Sequence, residues 1–317
     1  PLLTGYLEAD TVAMPSGVRF LRLLPAPENS VTPQPGAGEE ELPLIEQKCG
    51  EVWSVPFSGS PLGLRQLHAY DVAVEARIGQ ILRQSRPLYN NRLRITVKDG
   101  KLDSAMASES GGGGRILARV QAAAPAGREP EARAEIAINN YYLNVKPGQP
   151  ETAMDVRWQS SSFGDCMTDQ LNTLQGTAAA RLRNVHLPGV NLAQVNHLLG
   201  NFQGLSDAKK LIDQMKMPGG STEITSVEAR MTINQGQATI EEADAVFKGG
   251  SARLQGQLNM LDKNLKARAM VAFESIPGAP PLVVNATGEL TSPKIAVMNQ
   301  GELARYLFTR GMRPALR

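Results

Sequence analysis

Several features are scarce in this sequence, and each scarcity narrows the range of functions. Only 5% of the 317 residues are aromatic, which argues against stacking platforms for nucleic-acid bases or sugars. Lys and Arg number 33 against 31 for Asp and Glu, and the resulting net charge of +2 gives no reason to expect nucleic acid as a partner. The sequence has no apolar run near the roughly 20 residues that a transmembrane helix needs. Its hydrophobic content of 42% is nevertheless too high for a disordered chain.

Signatures of catalysis and metal binding are also lacking. The three histidines, His68, His186 and His197, are scattered, and none has the two-histidine spacing of a metalloprotease helix. The chain has no G-x-S-x-G nucleophile elbow, and residues 160–162, a run of serines, are typical of a polar loop. The sequence therefore predicts a protein that is not an enzyme and needs no cofactor or metal.

A run of four glycines at residues 111–114 invites comparison with a phosphate-binding loop. Such a loop requires a Lys-Ser or Lys-Thr pair that opens a helix. Here a strand-like segment with Ile116, Ala118 and Val120 follows instead, so the run is predicted to be the tip of a β-hairpin.

Cysteine is limited to Cys49 and Cys166, and two thiols so far apart in sequence carry no metal-ligand signature. They could pair in an oxidising compartment or remain two isolated thiols, and the sequence leaves both alternatives open. Because residue 1 is Pro rather than Met, we expect a processed chain or an excised piece, with any signal or anchor lying upstream.

The dominant positive signal is strict alternation of apolar and polar residues between positions 227 and 260. Val227, Ala229, Met231 and Ile233 alternate with polar residues, as in a strand with one dry and one wet face. A Gln-Gly step at 235–236 and a double glycine at 249–250 supply the positive φ that hairpin turns need. After a charged segment, the alternation resumes with Leu254, Gly256, Leu258 and Met260.

The same pattern occurs once earlier in the chain. Leu93, Ile95 and Val97 alternate with polar residues, an Asp-Gly turn follows at 99–100, and the glycine run precedes another alternating strand. A pattern that recurs within one chain indicates an architecture built by repeating a β unit.

Further strands are predicted at residues 3–9, 72–78, 134–138, 154–158 and 178–182, and short helices at 168–174, 191–199, 206–215 and 302–310. The predicted fold class is mainly β: an elongated, curved antiparallel sheet of ten to fourteen strands with a few short helices. We divide it into a β-groove segment, residues 1–136, with a Pro-rich insertion near 25–45, and a C-terminal β domain, residues 137–317, with a helical insert at 188–217.

Within residues 171–298 the order of glycine and asparagine motifs resembles the C-terminal region of the AsmA family of bacterial envelope proteins, which includes TamB-like relatives. A G-x-[ND]-[LI] step is matched by residues 189–192, and the sequence ATGELTSP at 286–293 corresponds to the family's [VI]-x-G-x-[LV]-x-x-P, with Ala286 at its first position. Gln235 departs from the acidic or Asn residue usual at that turn, and the Pro-rich insertion is a second departure. The resemblance extends over most of the chain.

The resemblance implies a periplasmic protein tethered to the inner membrane by an N-terminal anchor that this chain does not contain. It also implies a curved sheet whose apolar face carries phospholipid acyl chains between the two membranes, as part of lipid transport and outer-membrane biogenesis. The candidate lipid-binding residues on the alternating strands are Val72, Val74, Ala76, Ile78, Leu93, Ile95, Val97, Ile116, Ala118, Val120, Leu254, Leu258 and Met260.

Two alternatives compete with this lipid groove. The dry faces of two sheets could pack together as an ordinary sandwich core, with no face open to a ligand. The protein could also be a non-enzymatic scaffold that binds another envelope protein by strand addition at an exposed edge.

Overall fold

The computed structural model describes residues 2–13, 62–82, 87–143, 151–189, 191–202, 207, 220–290 and 292–312. Fourteen strands form one open, curved sheet in which the strand order follows the sequence. The strands are β1 (Leu2–Ala13), β2 (Asp71–Leu82), β3 (Leu88–Lys98), β4 (Lys101–Ser110), β5 (Gly114–Ala123), β6 (Glu131–Leu143), β7 (Thr152–Phe163), β8 (Gln175–Gly189), β9 (Gly220–Asn234), β10 (Gln237–Phe247), β11 (Gly250–Asn259), β12 (Asn264–Phe273), β13 (Leu282–Glu289) and β14 (Lys294–Val297). The predicted mainly-β, antiparallel fold class is confirmed.

Helices are short and lie between or after the strands. They are a 3-10 helix (Leu64–Ala69), α1 (Met167–Asn172), α2 (Leu192–Gly200) and α3 (Gln300–Met312). Asn191 caps α2 because its side-chain oxygen accepts a hydrogen bond from the Gln194 N–H at 3.0 Å. The predicted helices at 168–174, 191–199 and 302–310 are therefore confirmed. The helix predicted at 206–215 and the Pro-rich insertion lie outside the described residues, apart from Asp207.

The first strand departs from the antiparallel rule. β1 pairs with β2 in parallel, with Leu3 opposite Val72 and Ala9 opposite Ile78, whereas all later neighbours are antiparallel. A parallel pair needs a connection of a dozen or more residues rather than a tight turn. The chain between Ala13 and Asp71 is long enough for that connection.

Both copies of the sequence repeat form three consecutive antiparallel strands, β3–β5 and β9–β11. Their first turns have positive φ at both central residues, 50° and 72° at Asp99-Gly100 and 50° and 71° at Gln235-Gly236, as type I′ hairpins require. Each turn glycine also accepts a backbone hydrogen bond from the residue after the third strand, Ala124 in one copy and Met260 in the other. Because these residues follow their glycines at the same distance in sequence, the two units close in the same way.

The two-sheet sandwich is not formed by the described strands, because all fourteen belong to a single sheet. Among the described residues, a second layer appears near its C-terminal end, where α2 and α3 pack on β10, β12 and β13. That core joins Val195 and Leu199 of α2 and Leu303 and Leu307 of α3 to sheet residues such as Phe273. The predicted division at residue 136 falls inside β6, where the sheet is continuous, and it stays a prediction.

The ends of several strands are tied together by the segment around the 3-10 helix. The Leu62 N–H donates to the Asp165 carbonyl at 2.8 Å, and Arg65 forms an ion pair with the Asp165 carboxylate at 2.7 Å. At its other end, the His68 imidazole hydrogen-bonds the Ala124 carbonyl. Cys166 is buried beside Asp165 and is disulfide-bonded, whereas Cys49, the other cysteine of the sequence, lies outside the described residues.

The hairpin glycines provide a stability prediction. Gly236 and Gly127 both have φ near +70°, so alanine at either position should cost about 1–2 kcal/mol of left-handed strain. A Cβ at Gly236 would also lie 2.5 Å from the Leu171 carbonyl oxygen, whereas a Cβ at Gly127 would have no neighbour within 4 Å. We expect Gly236→Ala to lower the free energy of unfolding clearly more than Gly127→Ala, measured by urea titration. Equal losses would contradict the close packing of this turn against α1.

A second prediction concerns the disulfide. Because Cys166 is disulfide-bonded and Cys49 is the only other cysteine, a protease digest made without reductant should contain one species that joins the two cysteine peptides. Reduction should split that species into its two components, as seen by mass spectrometry. Two separate thiol peptides in the unreduced digest would contradict an intramolecular bond.

Candidate functional site

One face of the sheet is apolar along its whole width, and cross-strand register explains why. Directly opposed residues in a sheet point to the same side, and side chains alternate along each strand. Val74 lies opposite Ile95, and Ala76 opposite Leu93, which in turn lies opposite Met106. We call this surface the apolar face.

The structure places twelve of the thirteen predicted lipid-binding residues on strands whose register puts them on the apolar face. They are Val72, Val74, Ala76, Ile78, Leu93, Ile95, Val97, Ile116, Ala118, Val120, Leu254 and Leu258. Met260 lies beyond the end of β11, where its N–H donates to the Gly236 carbonyl at 2.9 Å. Its lipid-binding role stays a prediction, as do those of the other twelve.

Register also assigns to this face residues that the predicted set left out. Starting from Leu93, one row crosses the sheet through directly opposed pairs to β10: Leu93, Met106, Ala118, Ile136, Trp158, Ala178, Met231 and Ile240. Each strand's alternation indicated its own dry positions. Only the pairing of neighbouring strands could join those positions into a row.

Most large side chains of this face remain partly exposed from β2 to β9. Leu93, Ile95 and Trp158 are half-buried, and Met106 and Val120 are 38% and 40% exposed. Phe247, which is 3% exposed, is fully buried where α2 and α3 cover the sheet, and Val97 and Ile233 are buried on the same face outside that helix-covered core. The apolar face is thus closed at its C-terminal end and open over the middle strands as far as the described residues reach.

The opposite face is polar, and ion pairs between neighbouring strands cross it. Arg119 of β5 donates two hydrogen bonds to Asp103 of β4, at 3.0 and 2.7 Å, and Arg181 of β8 pairs with Glu228 of β9 at 2.8 Å. The hydrogen bonds from Arg119 hold the pKa of the Asp103 carboxyl below its usual range. All of these side chains are substantially exposed, so each pair contributes little to stability.

A cavity with a volume of about 1000 Å³ lies on this polar face. The cavity is lined by the residues of the Leu93 row from β3 to β9. On each of these strands the residues directly before and after the row residue also line it, as Arg92 and Arg94 do beside Leu93. Apolar-face residues two positions away, such as Ile95 and Val120, do not line it. The flanking side chains therefore form its walls and the backbone forms its floor, and we call it the transverse cavity.

The three histidines lie at separate places in the described part of the chain. His186 lies 3.7 Å from the Glu223 carboxylate, and His197 contacts Asn201 at 3.2 Å. The His68 imidazole hydrogen-bonds the Ala124 carbonyl. The described residues include no group of His, Cys, Asp or Glu side chains able to hold a metal ion. No described helix is both long and apolar enough to cross a membrane.

The fold and these surfaces define a class: an open β-sheet protein with one apolar and one charged face. Comparisons with protein-family models, with curated proteins and with solved structures find no match to this chain.

The pair between Asp103 and Arg119 leads to a pH prediction. Because the pKa of Asp103 is lower in the folded protein than in the unfolded chain, the pair stabilises the fold above the unfolded value of about 3.9. This contribution disappears as the pH falls through the lowered folded value. Asp103→Asn should therefore reduce the free energy of unfolding slightly at pH 7, and the difference from wild type should vanish in acid.

The matched control is Asp10→Asn, since Asp10 is exposed on β1 and forms no ion pair with the described residues. Urea unfolding at several pH values measures both variants. A difference between Asp103→Asn and wild type that stays constant into acid would show that the ion pair does not contribute.

Proposed function

We propose that this chain is the periplasmic part of an AsmA-like envelope protein and that it binds phospholipid acyl chains along its apolar face. In this proposal it supports lipid transport between the inner and outer membranes and performs no chemistry. The full-length protein would be held at the inner membrane by an N-terminal anchor. The observation that carries the proposal is the open, partly exposed apolar face on β2–β9.

The exposure of that face argues for an occupant. Exposed apolar surface costs about 25 cal/mol per Å² in water, and monomeric proteins rarely leave large contiguous patches uncovered. In a filled sandwich, residues such as Leu93, Ile95 and Met106 would be fully buried, whereas here they are half-buried or exposed. A ligand or partner that covers these side chains would recover the lost free energy.

Side-chain size along the face suits a flexible aliphatic ligand. Small residues alternate with large ones, because Ala118 lies opposite Ile136, and Ala134 lies opposite Val120. The Ala180–Ala229 pair forms another shallow position between larger neighbours. These depressions admit acyl chains of varied conformation without a specific pocket, and the ligand is held by dispersion and burial of apolar area.

A uniform apolar surface also suits movement. Where the binding free energy is spread over many similar positions, an acyl chain can shift along the face, because no single position binds it much more tightly than the next. The charged opposite face keeps the sheet soluble in water while the acyl chain lies on the other side. Headgroups would remain at the solvent boundary.

The second candidate function, an assembly scaffold, is favoured by the first strand. β1 spans twelve residues and pairs only with β2 among the described strands, so its outer edge is open to strand addition. A scaffold would retain a specific envelope protein through that edge, whereas a lipid carrier would co-purify with phospholipid. Extraction of the purified protein with organic solvent, followed by lipid mass spectrometry, distinguishes the two.

Substitution on the apolar face provides the sharper test. Ile95→Glu places a charge on the open part of the face, and Thr96→Glu places the same charge on the polar face of the same strand. We expect Ile95→Glu to abolish lipid co-purification and Thr96→Glu to retain it, since burial of a carboxylate against an acyl chain is costly. Circular dichroism should show unchanged strand content in both variants.

Two outcomes would count against the proposal. If Ile95→Glu unfolds the protein, Ile95 is core rather than binding surface. If both variants keep the same amount of bound lipid, the apolar face does not hold it.

A further inference from the structure

We propose that the transverse cavity on the polar face binds an anionic amphiphile, with a phosphate group held between Arg157 and Arg230 and an aliphatic chain lying over the small residues of β4–β6. This site is separate from the apolar face, because the sheet itself lies between them. The inference does not depend on the proposed function. It rests on the charges that line the cavity, on their spacing and on the apolar side chains of β4–β6 beside them.

Several arginines of the polar face already have acidic partners. Arg77 pairs with Glu75 at 2.8 Å, Arg119 with Asp103 at 2.7 Å, and Arg253 with Asp244 at 3.1 Å. Four cavity arginines form no ion pair within the described part of the chain: Arg92, Arg94, Arg157 and Arg230. These four guanidinium groups gather around one cavity.

Acidic residues in the cavity do not neutralise this cluster. Glu75 is engaged by Arg77, which leaves Glu135 and Glu241 as the remaining carboxylates of the lining. Glu242 is opposite Arg230 in register, but its carboxylate lies 3.7 Å from Arg253. The unpaired charge of the cavity is therefore positive, and its electrostatics favour an anion.

Register places Arg157 and Arg230 on either side of one small residue. Arg157 lies opposite Ala179, and Ala179 lies opposite Arg230. With neighbouring strands about 4.8 Å apart, the two arginine backbones are about 10 Å apart across the alanine. Both side chains can reach a single phosphate from opposite sides, and guanidinium groups bind phosphate oxygens in bidentate geometry.

Arg94 is less suited to that role, because its charge already helps to lower the pKa of the Asp103 carboxyl. Arg92 and Arg157 belong to one row of directly opposed residues on the polar face. Ala107, Leu117 and Ala137 lie between them in that row. This interruption of the polar face is apolar, and Leu117 is 40% exposed. An aliphatic chain attached to the phosphate would cover Leu117 and the flanking alanines.

The test uses dodecyl phosphate below its micelle concentration as the probe, with inorganic phosphate and dodecyl maltoside as comparison ligands. Calorimetric titration of the folded protein measures each affinity. The variant is Arg157→Gln combined with Arg230→Gln. The matched control is Arg115→Gln combined with Arg268→Gln, which removes two exposed arginines from the same face outside the cavity.

We expect dodecyl phosphate to bind the wild type and the control with affinities within about twofold, and the cavity variant at least about tenfold more weakly, since charge-assisted hydrogen bonds are lost. Inorganic phosphate and dodecyl maltoside should each bind more weakly than dodecyl phosphate. Inorganic phosphate lacks the aliphatic chain, and dodecyl maltoside lacks the phosphate group. Introduced into both the wild type and the cavity variant, Ile95→Glu should leave the difference in their dodecyl phosphate affinities unchanged, which separates this site from the apolar face.

Several results would overturn the inference. They are no binding to the wild type, equal loss in the cavity and control variants, or equal affinity for dodecyl phosphate and dodecyl maltoside. Loss of binding in Ile95→Glu alone would assign the amphiphile to the apolar face instead. Binding of inorganic phosphate as tight as that of dodecyl phosphate would reduce the site to a simple anion site with no role for the apolar side chains of β4–β6.

Discussion

Backbone hydrogen bonding between neighbouring strands determines which side chains of this protein share a surface. Because side chains alternate along a strand, a slip of one residue in any pair would move every later apolar side chain to the charged side. The register holds without shift from β7 through the paired part of β9, and bulges in β3, β6 and β10 absorb local irregularities. Both surfaces depend on this constraint: the apolar face exists because Leu93, Met106 and Ile136 align, and the transverse cavity exists because their neighbours align behind them.

Local sequence patterns predicted much of this fold, and their limits have physical reasons. Alternation identified β2, β3 and β9, and the Asp-Gly and Gln-Gly turns identified the hairpins, because these signals lie within a few residues. The charged segment after Gln235 did not predict a strand, because Glu241, Glu242 and a bulge interrupt the alternation of apolar and polar residues in β10. The parallel pairing of β1 was also hidden, because it depends on a partner more than fifty residues away.

The same limit applies to the candidate sites. The dry residues of single strands were predictable, and twelve of thirteen lie on one face. The transverse cavity was not predictable, because Arg157 and Arg230 are far apart in sequence and meet only across β8. An arginine on the wet side of a strand is by itself an ordinary solvated residue. It becomes informative only when cross-strand neighbours show that its charge has no partner.

From β2 onward every described strand pairs, within the described residues, only with the strands that precede and follow it in sequence. Such nearest-neighbour pairing lets ordering spread from one hairpin to the next, except at residues 190–219, where a long connection separates β8 from β9. Evolution could accordingly lengthen or shorten the sheet by whole hairpins, and the two-sided character of the surface would persist. Duplication of a three-strand unit would produce two similar units such as β3–β5 and β9–β11. The number of strands in such a sheet could therefore change by duplication.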